Sequence, residues 1–338
     1  MTDGILISCC NVKRPFGKYS LVYFRFSDRR FFFVDWTSRT GSDHRSAGMT
    51  GIVRGDGCYY AGVQTGPESK LAVFGHDLQL ADVIPLPGIR DVHGLRIANG
   101  QLLAVSTGTN QIFAVDPSGD RSPSIYWDAA ALDVSWNLHL NDYIEFDGRR
   151  LVLTHRPLRA EMTGAGTIFD IDRNAVFIDG MSQPHTLTVC GSRLLVCDSR
   201  NSSVISVENG SAAIAFQQHK RFLRGMTPYD GGLIVAASAS RVFSRSLGTN
   251  KRYANELVIG DKMYMSSLLF LRQPEYSIKT IIPFSEISLE IYDIIPIDFP
   301  PSRRILVDDP ASIRAQAAAN RMNELEQIVD KLSMKGKA

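Results

Sequence analysis

Apolar and polar residues alternate along most of the chain in short stretches broken by glycine turns, and the pattern recurs. The segments Thr50-Gly51-Ile52, His93-Gly94-Leu95, Asn141-Asp142-Tyr143, His185-Thr186-Leu187 and Thr227-Pro228-Tyr229 follow one another at offsets of 43, 48, 44 and 42 residues. Each leads to a glycine turn (Gly57, Gly100, Gly148, Gly191, Gly232) and then to an apolar run such as Leu102-Leu103-Ala104-Val105 or Leu151-Val152-Leu153. A third element with strand alternation closes each unit: Lys70–Phe74, Gln111–Val115, Thr167–Ile171, Ser203–Val207 and Arg241–Arg245. Strand, glycine turn, apolar strand and alternating strand make most of a four-stranded blade, and a period of about 40–45 residues is that of a β-propeller. One blade cannot cover both of its faces, so blades must stack around an axis.

Five such blades leave both flanks of the repeat region unassigned, and both read as strands. Ser20–Phe26 and Phe31–Trp36 are aromatic and β-branched, as are Ile278–Ile282 and Leu289–Ile295. Pairing the two ends would build a sixth blade and remove the exposed sheet edges. The expectation is an all-β, six-bladed propeller over residues 1–300, with seven blades as the alternative if each flank forms its own unit. After Pro300-Pro301, residues 301–338 read as a linker and an amphipathic helix, with Asp308-Asp309-Pro310 as its start. Ala311, Ala315, Ala318, Met322, Leu325, Val329 and Leu332 follow a 4-3 spacing, a coiled-coil seam. Such a helix either lies on the propeller or pairs with a second copy or a partner protein.

Composition narrows the function classes. The 338 residues are 44% hydrophobic and 21% charged with a net charge of +2, enough for a large core and without an electrostatic case for nucleic acid. No apolar run reaches the roughly 18 residues of a membrane span, and the N-terminus shows no secretory pattern, so a cytoplasmic protein is expected. Five cysteines lacking metal-knuckle spacing read as reduced thiols, with Cys9-Cys10 as the alternative of a reactive pair. Gly164-Ala165-Gly166 is not followed by a helical pattern and no Walker sequence occurs, so no nucleotide cofactor is expected. A Gly-x-Ser-x-Gly elbow is also absent.

Several motifs in order resemble an uncharacterised bacterial family of β-propeller-like proteins over roughly residues 90–300. They are Asp91-Val92-His93-Gly94, His139-Leu140-Asn141-Asp142, Pro184-His185-Thr186-Leu187, Gly191–Ser199, Phe222-Leu223-Arg224-Gly225-Met226, Ser238–Arg241 and Glu290-Ile291-Tyr292-Asp293. The family pattern has glycine where this chain has Asp142, and Ser-Gly where it has Ser199-Arg200. The resemblance implies the propeller fold and carries no activity.

Candidate chemistry follows from the repeat. Residues that open the innermost strand of each blade converge on the axis although they lie more than 40 positions apart. Thr50, His93, Asn141, His185 and Thr227 are read as those residues, with Asp91, His139, Asp142, Arg224 and Glu290 beside them. Imidazoles of His93, His139 and His185 would suit a divalent metal such as Zn, Mn or Fe. Asp142 or Glu290 could then serve as base, and Arg224 or Arg241 as a clamp for a carboxylate or phosphate. Thr50, Asn141 and Thr227 would supply polar contacts. The substrate expected is a small polar molecule such as a carbohydrate, undergoing hydrolysis, elimination or isomerisation. Three other readings stay open: histidines that merely bond a neighbouring blade, metal-free recognition of a glycan or small metabolite without chemistry, and a non-catalytic scaffold docking proteins on its rim and C-terminal helix.

Overall fold

The computed structural model describes residues 2–10, 20–34, 48–65, 68–132, 136–156, 166–208, 210–218, 221–238, 266–284, 287–288, 290–298 and 306–307. Six antiparallel sheets are arranged in a ring. The first blade holds strands Gly48–Arg54, Cys58–Gln64, Ser69–Gly75 and Leu80–Leu86, and the second begins with Val92–Ala98. The third, fourth and fifth begin with Leu140–Phe146, His185–Cys190 and Phe222–Tyr229. These inner strands touch in sequence, and Ile291–Ile297 sits between the fifth and the first to close the circle.

Closure uses both ends of the described chain. Ile291–Ile297 is the inner strand of the sixth blade, and Gly4–Cys9 pairs with it antiparallel, Ile7 opposite Ile294 and Gly4 opposite Ile297. Leu21–Arg25 and Arg30–Val34 complete that sheet, and Leu306–Val307 adds a fifth strand along Arg30–Val34. Residues expected to begin a linker thus contribute a strand. A second correction concerns the fifth blade, whose third and fourth strands are Ser267–Arg272 and Ser277–Pro283. The strand at Ile278–Ile282 belongs there and not to the closing blade. Arg241 and the helix expected from Asp308 lie outside the described residues, among which helical structure is confined to the 3-10 turn Ala129–Leu132.

Local sequence explains the hairpins. Asn99-Gly100, Asp147-Gly148 and Asp230-Gly231 each hold two consecutive residues at positive φ. A two-residue turn with both φ values positive follows the twist of the strands it joins, and Asn-Gly and Asp-Gly adopt it at least cost. The fifth turn is therefore centred on Gly231, one residue before the glycine expected.

The core lies between blades. Leu71, Ile84 and Leu86 of the first blade pack on Leu95, Leu102 and Ala104 of the second. Val105 and Ile112 meet Tyr143 and Val152 at the next junction, and Leu151 and Leu153 meet Leu187 and Val196 at the one after. Equivalent apolar wedges fill the other three junctions. Each face buries its alternating residues only against a neighbour, so stability belongs to the closed ring more than to any blade.

Candidate functional site

The pairing of the inner strand slips at the same level in every blade. The shift falls between Met49 and Ile52, Val92 and Leu95, Leu140 and Asp142, His185 and Leu187, and Arg224 and Met226; in the sixth blade it leaves Tyr292 unpaired, opposite Ser8/Cys9. A bulge of this kind re-aims the side chains around it. Aligning the slips fixes which residues share a tier. Buried apolar residues Met49, Val92, Leu140, Pro184, Leu223 and Ile291 precede the slip. Thr50, His93, Asn141, His185, Arg224 and Tyr292 come next, and Gly51, Gly94, Asp142, Thr186, Gly225 and Asp293 follow. The axial tier accordingly contains Arg224 and Tyr292, whereas Thr227 lies three residues further along its strand, paired with Ile234.

The lower of the two tiers fastens blades together. Asp142 accepts the N–H of its own neighbour Tyr143 at 2.9 Å and that of Leu187 in the next blade at 2.7 Å. Asp293 does the same half the ring away, with Ile294 at 2.9 Å and Ile52 at 3.2 Å. Arg96 spans three blades: its Nε donates to Asp142 Oδ1 at 3.0 Å and to the Tyr143 carbonyl, its Nη2 reaches Asp142 Oδ2, and Nη2 also donates to the Leu187 carbonyl at 2.7 Å. Asp142, expected as a base, is thus a satisfied brace. Glycines occupy the remaining close contacts: a Cβ on Gly51 would stand 2.4 Å from the His93 carbonyl oxygen and 2.7 Å from the Leu95 nitrogen, both backbone atoms. Gly51→Ala is expected to push two blades apart and lower stability by about 1–3 kcal/mol, read from the thermal unfolding midpoint.

Above this tier the axis is lined by rings. Centroids of His93 and His139 are 5.2 Å apart, those of His139 and His155 4.7 Å, and those of His155 and His185 6.1 Å. Tyr292 completes the circuit, 6.5 Å from His185 and 5.4 Å from His93. All five residues are buried. The residues just before the inner strands, Asp91, His139 and Gln183, have φ of 54°, 56° and 52°, a left-handed conformation at the same repeat position. Its use is visible in two blades, where the Asp91 and Gln183 carbonyls face Nδ1 of His93 and His185 at 3.1 and 3.0 Å. A carbonyl can only accept, so in such a bond Nδ1 is the donor; at His185 the Ser199 hydroxyl lies 3.0 Å from the same nitrogen. Burial, with the neighbouring His93, His155, Arg156 and Arg224, holds the His139 imidazole well below its usual range, while burial drives the Tyr292 phenol well above its own.

Arg224 faces this ring system as a permanent cation, and Arg156 also acts on His139. Arg224 is 2% exposed, its guanidinium 5.0 Å from the Phe222 ring and 5.3 Å from the Tyr292 ring. Its Nη1 lies 3.9 Å from Glu290 Oε2, a loose ion pair, and 3.3 Å from Cys10 Sγ. The other expected contact residues divide. Thr50 Oγ1 donates to the Val92 carbonyl at 2.7 Å, an interblade tie. Asn141 Nδ2 donates to the Pro184 carbonyl at 2.5 Å, but its Oδ1 is buried with no hydrogen-bond partner among the described residues. His93, His139 and His185 do come together, yet among the described residues no group of three His, Cys, Asp or Glu side chains is arranged to hold a metal ion. The His93 and His139 rings meet edge to face, with an interplanar angle of 82°. His155, Tyr292 and Cys10 were missed by repeat reasoning. His155 and Cys10 end second strands, outside the aligned inner positions, whereas Tyr292 lies in the one inner strand that has no glycine-marked repeat before it.

No protein-family model matches the chain, and a search of the curated proteins finds no match. Among solved structures, a protein of unknown function from Bacteroides caccae superposes on 88% of this chain and all of its own, with a TM-score of 0.56 and 13% identity. The nidogen/laminin complex matches 88% of this chain and 99% of that chain, with a TM-score of 0.53 and 9% identity. Virginiamycin B lyase from Staphylococcus aureus overlaps 60% of this chain and 69% of its own at 13% identity, with a TM-score of 0.41. The fold is a six-bladed β-propeller. At these identities the likeness extends to architecture alone, and it agrees with the resemblance to uncharacterised propeller proteins read from the sequence.

Proposed function

We propose that the protein binds a small polar acid at the axial mouth, with Arg224 as the anchor for its carboxylate or phosphate and the imidazoles of His93 and His185 as polar neighbours for its hydroxyls. The observation that carries this reading is the buried guanidinium, set over the Phe222 and Tyr292 rings beside Glu290 and the Cys10 sulfur. A desolvated guanidinium binds an incoming carboxylate more strongly than an exposed one does, because bidentate charge-assisted bonds are not weakened by competing water. Asn141 Oδ1 adds an acceptor in need of a donor, as a sugar hydroxyl would supply. Imidazoles and a carboxylate are acid–base groups, so hydrolysis, elimination or isomerisation of such an acid would draw on His93, His185 and Glu290. Docking of proteins on the rim is less favoured: the exposed isoleucines Ile125, Ile214 and the pair Ile278 and Ile281 are spread over the outer strands of three different blades.

The test is a thermal unfolding screen with uronic acids, aldonic acids and sugar phosphates against their neutral sugars. A ligand at about 100 times its Kd stabilises the folded chain by about 2.7 kcal/mol. Stabilisation by acids, absent with neutral sugars and lost in Arg224→Gln, is expected. Equal shifts in wild type and Arg224→Gln would remove Arg224 from the site. Elemental analysis of untagged protein, run alongside, decides the metal question independently, since near-stoichiometric Zn, Mn or Fe that disappears in a His93→Ala/His185→Ala variant would restore the metal-ligand reading of those residues.

A further inference from the structure

We propose that Cys10 is a reactive thiol of the axial mouth, with Glu290 accepting its proton and Arg224 stabilising the thiolate. The proposal rests on the reading above in one respect, that the mouth admits a small molecule. Cys10 follows directly on strand Gly4–Cys9, whose pairing with Ile291–Ile297 brings residue 10 beside residue 290 across 280 positions of sequence. Cys10 Sγ donates to Glu290 Oε2 at 3.3 Å, and Arg224 Nη1 stands 3.3 Å from the same sulfur. A thiol within reach of a base, with a cation against both, is the arrangement that turns a buried sulfur into a nucleophile. The unsatisfied Oδ1 of Asn141, in the same axial tier as Arg224 and 3% exposed, is independent evidence that a ligand with a donor group belongs there.

The chain carries its own controls. Cys9, adjacent in sequence, and Cys197, in the core, are buried thiols pushed well up by burial, which makes them inert. Cys58 and Cys190 are partly exposed. If accessibility alone ruled, these two would react first and Cys10, 1% exposed, would not react.

The class of partner this geometry takes is a soft electrophile small enough for the axial mouth. With iodoacetamide as the probe, the sulfur lone pair forms a bond to the methylene carbon, the carbon–iodine bond breaks with its electron pair leaving as iodide, and the thiol proton passes to Glu290. Native full-length protein is labelled with limiting iodoacetamide near pH 7 and each cysteine is quantified by peptide mass spectrometry. Cys10 is expected to react about tenfold faster than Cys58 and Cys190, the gain that an enlarged thiolate fraction gives at this pH. Glu290→Gln should slow Cys10 to the rate of those two while leaving theirs unchanged, in protein that unfolds at the wild-type midpoint. Labelling of Cys58 and Cys190 with Cys10 untouched would overturn the proposal, and so would a Glu290→Gln variant that labels as fast as wild type. If Cys10 reacts while no acid stabilises the protein, the anion-binding reading fails alone. Acid-induced stabilisation with an unreactive Cys10 sinks only the thiol.

Discussion

Replacing Asp142 by alanine is expected to lower the stability of the protein by about 3–5 kcal/mol, the range for removing one partner of a buried ion pair. The loss has three parts that no neighbour can make good. Arg96 keeps its charge, and the side chain that met it in two hydrogen bonds is gone. The Tyr143 and Leu187 N–H groups, at 2.9 and 2.7 Å from the carboxylate, are left buried without that acceptor. The seam between third and fourth blades, which that pair of N–H bonds spans, loosens as a unit. Asp142→Asn retains one acceptor oxygen and is expected to fall between alanine and wild type. Urea unfolding at constant m-value reads the difference directly. A base would behave otherwise: its alanine variant would keep its stability and lose turnover. An Asp142→Ala protein within about 1 kcal/mol of wild type, inside the span of a single neutral hydrogen bond, would refute the bracing role.

The second large effect is on pH dependence and comes from the other brace. Burial pushes the Asp293 carboxyl up from its ordinary value to about 7, with Arg96 pulling it down, Asp142 pushing it up, and the Ile52 and Ile294 N–H groups lowering it. Its folded-state pKa lies above that of the unfolded chain, so between about pH 4 and pH 7 the folded state binds more protons. Stability from this group is therefore fully present at acid pH, falls as pH rises through that window, and is lost above about pH 7. The span corresponds to about 4 kcal/mol at 1.36 kcal/mol per pH unit. Asp293→Asn is expected to flatten the slope across pH 4–7. Asparagine turns one donor toward a backbone N–H, so the flattened curve should also sit lower, by about 1–3 kcal/mol. An unchanged slope in the variant would assign the pH dependence to another group.

Two carboxylates in equivalent places thus have different surroundings: Arg96, carried by the second blade, reaches Asp142 with direct hydrogen bonds and acts on Asp293 through its field. Nothing in either local sequence distinguishes them. The blade pattern was legible because each of the five hairpins is encoded within some 15 residues: apolar alternation, a glycine turn that is Asn-Gly or Asp-Gly in most blades, and a second apolar run. Register on the axis was not. Thr227-Pro228-Tyr229 lies 42 residues beyond His185 and matches the period, whereas Arg224 lies 39 beyond and holds the axial place. A slip of one or two residues in pairing decides which side chain faces the axis, and only the aligned bulges reveal it. The site was half visible for a related reason. His93, Asn141 and His185 open inner strands and were found by repetition. Glu290 and Arg224 were placed beside the axis, but the thiol joining them could not be, because the Cys10–Glu290 contact depends on how the two ends of the chain pair.

That pairing sets an order of events. Ile291–Ile297 emerges from the ribosome after the other five inner strands, yet Gly4–Cys9, which pairs with Leu21–Arg25 on one side, depends on it for the other. Until residue 297 is available the N-terminal strands lack their inner neighbour, the fifth and first blades lack the wedge between them, and Ile52 waits for Asp293. Contacts separated by some 285 residues close slowly and late. The nascent chain therefore spends most of its synthesis as an open arc with two adhesive ends, the stage at which a second copy could supply the missing strand and at which chaperone protection would matter most.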